Sequence, residues 1–179
     1  MIVFGSGGHT TEMLLMLDKF SVDSYKVVHF VIAHSDTWSA TKIQDYFRTK
    51  FGIEDVENHG KIRIHRLYRA REVKQSYMTS ILTTLWGLVH SFALIARTMP
   101  DLIVTNGPGT AVPLCYANFI LQKVMLWKPS AQIIFIESFC RVTSLSLTGK
   151  LLRPIADQFV VHWQELAAKY PSVKQHRLL

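Results

Sequence analysis

A glycine-rich loop near the start of the sequence is the first feature that could do chemistry. The stretch GSGGHTTEM follows four apolar residues and contains Gly5, Ser6, Gly7 and Gly8. Glycines let backbone amides approach a ligand closely, and a helix that begins near His9 would aim its free N–H groups and positive dipole end at the same point. The loop therefore predicts an anion site, with a plain strand-to-helix turn as the alternative.

Two common nucleotide-binding loops are not matched by this stretch. A dinucleotide fingerprint needs a third glycine where this chain has Thr10, and an acidic residue after the second strand, where it has Ala33 and His34. A Walker loop is also missing, because Gly149-Lys150 is followed by leucine and lacks the upstream glycine. We therefore expect no nicotinamide or other cofactor.

A second glycine loop, NGPGT, contains Asn106, Gly107, Gly109 and Thr110. Its proline can open a helix and its threonine would lie on the first turn. Taken singly, this loop is equally well explained as a turn. Two such loops at neighbouring carboxyl ends of strands can hold the two phosphates of a diphosphate, and we predict that both loops, with Thr10, form such a site.

Two side chains beside these loops are candidates for acid–base chemistry. His9 stands at the predicted helix start, where the dipole disfavours the imidazolium and leaves a neutral ring able to accept a proton; capping or packing is the alternative. Glu137 ends an apolar run and can act as a base, orient a sugar hydroxyl, or form a structural ion pair with Arg141. We predict both as catalytic, and the sequence does not rank them.

The elements that must position these residues alternate along the chain. Runs of Val, Ile and Phe predict strands, and each is followed by a helical pattern. The predicted strands are 1–4, 25–33, 61–68, 101–106, 132–137 and 157–163. The predicted helices are 9–19, 37–50, 78–99, 108–126, 145–152 and 164–169. This pattern is typical of a Rossmann-like doubly wound parallel sheet, here a single domain spanning residues 1–179. Ligands of such sheets lie beyond the carboxyl ends of the strands, where the glycine loops fall.

Composition limits the class of protein. The chain has 179 residues, of which 49% are hydrophobic, and a formal net charge of +7. It is therefore large enough for one core and is attracted to anions. Cys115 and Cys140 form no C-x-x-C pair, which favours a reducing compartment. No H-E-x-x-H or D-x-D occurs, so we expect no metal, and nucleic-acid binding rests on charge alone.

A basic run precedes the longest apolar helix. The run contains Lys61, Arg63, Arg66, Arg69, Arg71 and Lys74. Between Lys74 and Arg97 there is no charged residue, and large apolar residues recur at helical spacing over 78–99. The helix is expected to pack on the sheet, in part at a membrane interface, with deeper insertion as the alternative. The apolar start of the chain predicts no signal peptide.

The loops taken together resemble one known family. GSGGHTTEM, DTWSATKI, RAREVKQS, DLIVTNGPGTAVPLC, IESFCRVTSLSLTGK and FVVHWQELAAKYP are similar to the successive motifs of the membrane-recruiting subunit of the endoplasmic-reticulum UDP-N-acetylglucosamine transferase. The resemblance runs from about residue 2 to residue 171. It implies one half of a GT-B glycosyltransferase, similar to the acceptor-binding half of the bacterial lipid-linked N-acetylglucosaminyltransferase of peptidoglycan synthesis.

The resemblance implies a reaction and a set of partners. A separate cytosolic subunit would bind UDP-N-acetylglucosamine, and this chain, inactive alone, would recruit it to the cytosolic face of the endoplasmic reticulum and bind N-acetylglucosaminyl-diphospho-dolichol. The 4-hydroxyl of the acceptor would attack C1 of the donor with inversion to a β1,4 linkage, without metal. A non-catalytic tether of the partner, and a nucleic-acid-binding Rossmann protein, are the competing interpretations.

Carried over by position, the motifs assign roles to individual residues. The resemblance places residues 5–10 and 106–110 at the acceptor diphosphate and His9 and Glu137 at the cleft. Arg141 would hold Glu137 or a phosphate. Arg71, Glu72 and Gln75 would lie near the acceptor or membrane, and the tail residues Val173, Leu178 and Leu179 would contact the partner subunit. Family members usually begin with an apolar anchor helix, so attachment here is expected to use the basic run and helix 78–99, unless an anchor has been lost or removed.

Overall fold

This computed structural model describes residues 1–68, 77–170 and 173–175, without the side chains of residues 77–85. Within these residues, seven parallel strands form one sheet. The strands are Ile2–Val3 (β1), Val28–Ala33 (β2), Ile62–Leu67 (β3), Leu102–Thr105 (β4), Gln132–Ile136 (β5), Gln158–Val161 (β6) and Lys174–Gln175 (β7). The helices are Gly8–Met16 (α1), Thr37–Phe51 (α2), Tyr77–Thr98 (α3), Ala111–Asn118 (α4), Leu147–Leu152 (α5) and Gln164–Lys169 (α6).

The strand order is β3-β2-β1-β4-β5-β6-β7, and each neighbouring pair is parallel. Ile2 of β1 lies opposite Phe30 on one side and Val104 on the other. The direction in which the chain winds reverses between β1 and β4. In open sheets of this kind, the crevice outside the carboxyl ends of those two strands is where ligands bind.

Helices cover both faces of the sheet, because alternate strand residues enter two different hydrophobic clusters. Ile2 and Phe30 pack with Met13 of α1 and Phe47 of α2 on one face. Val3 and Val31 pack with residues of α3 and α4 on the other face, among them Ile95 and Leu114. The continuous apolar strands of the sequence follow from this double burial. The predicted Rossmann-like doubly wound fold is confirmed.

Helix α3 extends over the range expected from its periodicity. Its buried residues include Leu94 and Ile95, while Trp86 and Val89 are exposed. Among the described residues, no helix combines the length and the apolar character that crossing a membrane requires. The basic run that precedes α3 is partly paired, since Lys61 bonds to Asp23 and Arg66 to Glu57. Arg69, Arg71 and Lys74 lie outside the described residues, as do Glu72 and Gln75.

Two elements differ from the sequence prediction. Helix α4 ends at Asn118 and continues as a π-helical segment, Phe119–Val124, where one uninterrupted helix was expected. Strand β7 was not predicted; it pairs with β6 and brings Val173 into the hydrophobic core. Val173 is only 9% exposed in this chain, so its main contacts are with the core, and the expected contact with a partner subunit stays a prediction. Leu178 and Leu179 lie outside the described residues.

Candidate functional site

The two glycine loops meet at the carboxyl ends of β1 and β4. A Cβ on Gly5 would lie 2.7 Å from Cβ of His9 and 2.9 Å from Cβ of Pro108, distances that real side chains do not tolerate. Gly107 has a φ of +110°, and a Cβ there would lie 3.4 Å from Cε1 of His9. These glycines therefore make room for the His9 side chain between the loops.

Helix α1 begins at this junction without a side-chain cap. Its N-cap is Gly7, which has a φ of 61° and no side chain that could accept from the first amides of the helix. Ser6, Gly7 and Gly8 are exposed. The first turn therefore presents free N–H groups and the positive end of the helix dipole to solvent, which suits an anion.

Thr10 is used inside the protein. Its side chain is fully buried, and its hydroxyl donates to the carbonyl of Gly5 and bonds to the hydroxyl of Ser39. The Ser39 hydroxyl is held in turn by the carboxylate of Asp36 at 2.7 Å. This cluster fixes the first glycine loop to the start of α2, so Thr10 acts within the protein, and its predicted contact with a diphosphate stays a prediction.

The second loop positions the first through Asn106. This side chain is fully buried, and its Nδ2 donates to the carbonyl of His9 at 2.7 Å and to Oε2 of Glu12 at 3.3 Å. In the same loop Thr110 is also buried, whereas Gly109 is exposed. Asn106 therefore acts on the geometry around His9.

His9 has one nitrogen turned inward and one accessible. Its side chain is 35% exposed. Nδ1 is buried without a hydrogen-bond partner, and the nearest acidic atom is Oε2 of Glu12 at 3.8 Å. Nε2 is not buried in this way, and His9 borders the cavity described below, so Nε2 is the nitrogen that we expect a substrate to reach.

Glu137, the second predicted catalytic residue, is held by the loop that follows it. Its side chain is 1% exposed. Oε1 accepts from the amide of Ser138 at 3.1 Å, and Oε2 accepts from the amide and the hydroxyl of Ser146 at 2.9 and 3.1 Å. The alternative ion pair with Arg141 does not form in the described chain, and Arg141 is exposed. A catalytic role for Glu137 stays a prediction, whereas its contacts order the loop before α5.

A cavity of about 400 Å³ joins several of these residues. Its walls include the predicted site residues Gly8, His9, Gly107 and Arg141 together with Glu12, Ser138, Cys140, Ser146, Leu147 and Thr148. A mostly apolar cavity of about 350 Å³ lies at the other end of the strands, by the amino ends of β1, β2 and β4, near Phe20 and Met99. Of these two cavities, the first is the one in which polar groups that could bind and activate a substrate converge.

Sequence reasoning missed Glu12. A signal for it was present, because residues three apart on a helix share a face and Glu12 follows His9 at that spacing. Ser138 and Ser146 were missed as well, since nothing local relates them to the first loop. Within the described part of the chain, no group of three or more His, Cys, Asp or Glu side chains is placed to hold a metal ion.

The two cysteines have different environments. Cys140 is exposed at the cavity, and Cys115 is buried in the core. Burial raises the pKa of the Cys115 thiol to about 12, so this side chain acts as an apolar packing residue.

Comparison with known proteins now identifies the family. The sequence matches the family described as "Oligosaccharide biosynthesis protein Alg14 like" over residues 1–179. This chain belongs to the Alg14-like family. It is 43% identical over 173 residues to the Mus musculus protein named UDP-N-acetylglucosamine transferase subunit ALG14. The aligned residues cover 96% of this chain and 78% of the mouse protein. The Yarrowia lipolytica protein of the same name is 38% identical over 180 residues, covering 100% of this chain and 80% of that protein.

The Alg14-like chain also has a counterpart among solved structures. It superimposes on MurG of Acinetobacter baumannii with a TM-score of 0.58 and 14% identity, over 90% of this chain. The chain spans 39% of the MurG chain, so the likeness concerns one part of a larger molecule. The family resemblance drawn from the six motifs is therefore confirmed. The Rossmann-like fold class is confirmed as well, since one part of MurG shares this fold.

Proposed function

We propose that this chain is a subunit of a UDP-N-acetylglucosamine transferase. The relatives that align with nearly all of it carry that name. One observation in the structure carries the proposal: an uncapped helix start, His9 and the guanidinium of Arg141 surround a single cavity at the β1–β4 switch point. Such a cavity suits a substrate that combines an anionic group with a hydroxyl to be activated.

The chain is proposed to supply the acceptor half of the enzyme, as a single Rossmann-like domain. A separate cytosolic subunit would bind the donor, UDP-N-acetylglucosamine, and this chain would recruit that subunit to the cytosolic face of the endoplasmic-reticulum membrane. The matched part of MurG supports the division, because it leaves most of that longer chain without a counterpart here.

The acceptor is proposed to be N-acetylglucosaminyl-diphospho-dolichol. Its diphosphate would meet the free amides of Ser6, Gly7 and Gly8 and the exposed guanidinium of Arg141. An arginine fork and a helix start both favour phosphate oxygens. Gly107 and Gly109 would let the second loop approach the same group.

Transfer needs one proton acceptor on the acceptor side. The 4-hydroxyl of the acceptor sugar would give its proton to Nε2 of His9 while its oxygen forms the bond to C1 of the donor. The bond from C1 to the diphosphate oxygen breaks, and UDP leaves with that electron pair, so the new linkage is β1,4 with inversion. His9 suits this step because Nε2 is its accessible nitrogen.

The role of His9 is tested with the assembled enzyme. The chain is co-expressed with the donor-binding subunit, and transfer from UDP-N-acetylglucosamine to a lipid-linked acceptor is measured. We expect His9→Ala to lower kcat by about 100-fold or more, since general-base catalysis contributes about 10²–10⁴-fold. The matched control is His59→Ala. This histidine lies in the loop before β3, at the amino end of an edge strand and away from the cavity.

The same assay separates the enzyme subunit from a simple tether. A tether would bring the donor subunit to membranes in fractionation, yet His9→Ala would leave the rate of the assembled pair unchanged. Full transferase activity of the chain without its partner would contradict the division into two subunits. Absence of transfer by the wild-type pair would reject the proposed function itself.

A further inference from the structure

The carboxylate that faces His9 is Glu12, one helical turn further along α1. Oε2 of Glu12 lies 3.8 Å from Nδ1 of His9, within ion-pair distance but longer than a hydrogen bond. Nδ1 is buried and has no other partner. A rotation of the imidazole that shortens this distance by less than about 1 Å would create an Nδ1–H···Oε2 bond, and such bonds commonly tighten when substrate binds.

Glu12 is itself held in place from two other elements. Its Oε1 accepts a hydrogen bond of 2.8 Å from the hydroxyl of Ser138, which follows β5. Its Oε2 accepts from Nδ2 of Asn106, which follows β4, at 3.3 Å. The side chain is 14% exposed, so these contacts are only weakly screened by solvent.

Asn106 ties the carboxylate and the histidine together. The Nδ2 group that donates to Glu12 also donates to the backbone carbonyl of His9 at 2.7 Å. One buried amide therefore fixes both the main chain that carries the imidazole and the acid that faces it. Asn106 and Ser138, which are far from α1 in sequence, therefore both contact Glu12, the acid that faces the ring.

We propose that Glu12 is a positioning residue for His9, holding the proton of the neutral ring on Nδ1 so that Nε2 presents its lone pair to the cavity; this inference rests on the proposed transferase function. In solution, neutral imidazole carries its proton on either nitrogen, and only the form with a bare Nε2 can accept the hydroxyl proton. When Nε2 takes that proton, the ring becomes a cation that retains Nδ1–H, and the carboxylate of Glu12 offsets the new charge. Glu137 makes no contact with His9: its oxygens accept from Ser138 and Ser146, whereas Oε2 of Glu12 lies 3.8 Å from Nδ1 of the ring.

The first test reads the proton directly and does not need turnover. The full chain, labelled with ¹⁵N-histidine and co-purified with its partner subunit, is studied by long-range ¹H–¹⁵N spectra at a pH where the ring is neutral, and the His9 signals are assigned by their loss in His9→Ala. We expect Nδ1 to be protonated in the wild type and Glu12→Ala to shift the population toward Nε2–H. The control is Glu54→Ala, which changes an exposed glutamate between α2 and β3 and should leave the spectrum unchanged. Protonation on Nε2 in the wild type would overturn the proposal.

The second test separates positioning from structural support. Glu12→Gln keeps the size of the side chain and an acceptor oxygen but removes the charge. We expect it to lower kcat by about 10- to 100-fold, part of the general-base contribution, with KM and thermal stability little changed. Glu12→Asp restores a carboxylate and should recover part of kcat. If the wild-type pair transfers sugar and Glu12→Gln matches its kcat, the positioning role is refuted while the transferase function stands.

Discussion

The carboxylates nearest the cavity differ in what their oxygens contact. Glu137 is almost fully buried and is saturated by the amides and hydroxyl of its own loop. Glu12 is held by side chains and keeps one oxygen turned toward His9. Because the bonds of Glu137 all go to its own loop while Glu12 faces His9, we assign loop architecture to Glu137 and propose the orientation of the imidazole for Glu12.

Thr10 has the contacts of a structural residue, which leads to a stability prediction. Thr10→Val keeps the shape but removes the hydroxyl that bonds to Gly5 and Ser39. We expect the free energy of unfolding to fall by about 1–2 kcal/mol, the usual cost of losing a buried hydrogen bond. Urea denaturation of the full chain measures it, with Thr10→Ser retaining most of the stability and the exposed Thr11→Val as control. A variant that unfolds like the wild type but loses acceptor binding would show that this hydroxyl acts on the ligand.

The strands β2 and β3 carry an unusual pair of imidazoles. Nδ1 of His29 lies 2.8 Å from Nε2 of His65, and both side chains are half-buried. Burial, with a smaller contribution from His65, lowers the pKa of His29 from 6.5 to about 4. Burial and the charge of Arg63 also lower the pKa of His65. The packing of the edge strand β3 against β2 therefore favours the neutral form of His29 and of His65.

Acid should weaken the β2–β3 pair. As the pH falls from 6.5 toward about 4, the unfolded chain binds a proton at His29 before the folded chain does, so stability decreases across this window. We expect a loss on the order of 1 kcal/mol, allowing for the partial exposure of the ring. His29→Gln cannot titrate and should show a smaller loss between pH 7 and pH 5 in urea unfolding. Equal losses in both proteins would contradict this assignment.

Across the whole molecule, the carboxyl-terminal segment closes one edge of the sheet. Strand β7 pairs with β6, and Val173 packs into the larger cluster that also contains Val161 and Leu166. A residue buried in this way contributes mainly to the stability of the folded chain. Part of the region that was expected to contact a partner therefore packs in the core of this domain.

Burial of Val173 can be tested without the partner. We expect Val173→Ala to lower the free energy of unfolding by about 1–2 kcal/mol, because it removes buried methyl groups and leaves a small cavity. Thermal or urea unfolding of the full chain measures this loss. Val124→Ala is the matched control, since Val124 is 61% exposed. Unchanged stability combined with weaker co-purification of the donor subunit would instead place Val173 at the interface.

The alternation of strands and helices, the glycine loops and the position of His9 could all be read from the amino-acid sequence. These features depend on neighbours within a few residues: apolar runs predict strands, and glycines before a polar helix start predict an anion site. The short β7 was not predictable, because its two residues have no periodicity and are stabilised only by pairing with β6.

The partners of Glu12 were decided by the tertiary structure alone. Ser138 reaches Glu12 across 126 positions of the chain and Asn106 reaches it across 94. Those contacts exist because β1 lies beside β4 and β4 beside β5, an order that local propensities do not encode. The same folding buried Glu137 and Thr10, which looked like ligand-facing residues by sequence. Local patterns therefore determined which elements form, and the order of strands in the sheet determined which side chains meet.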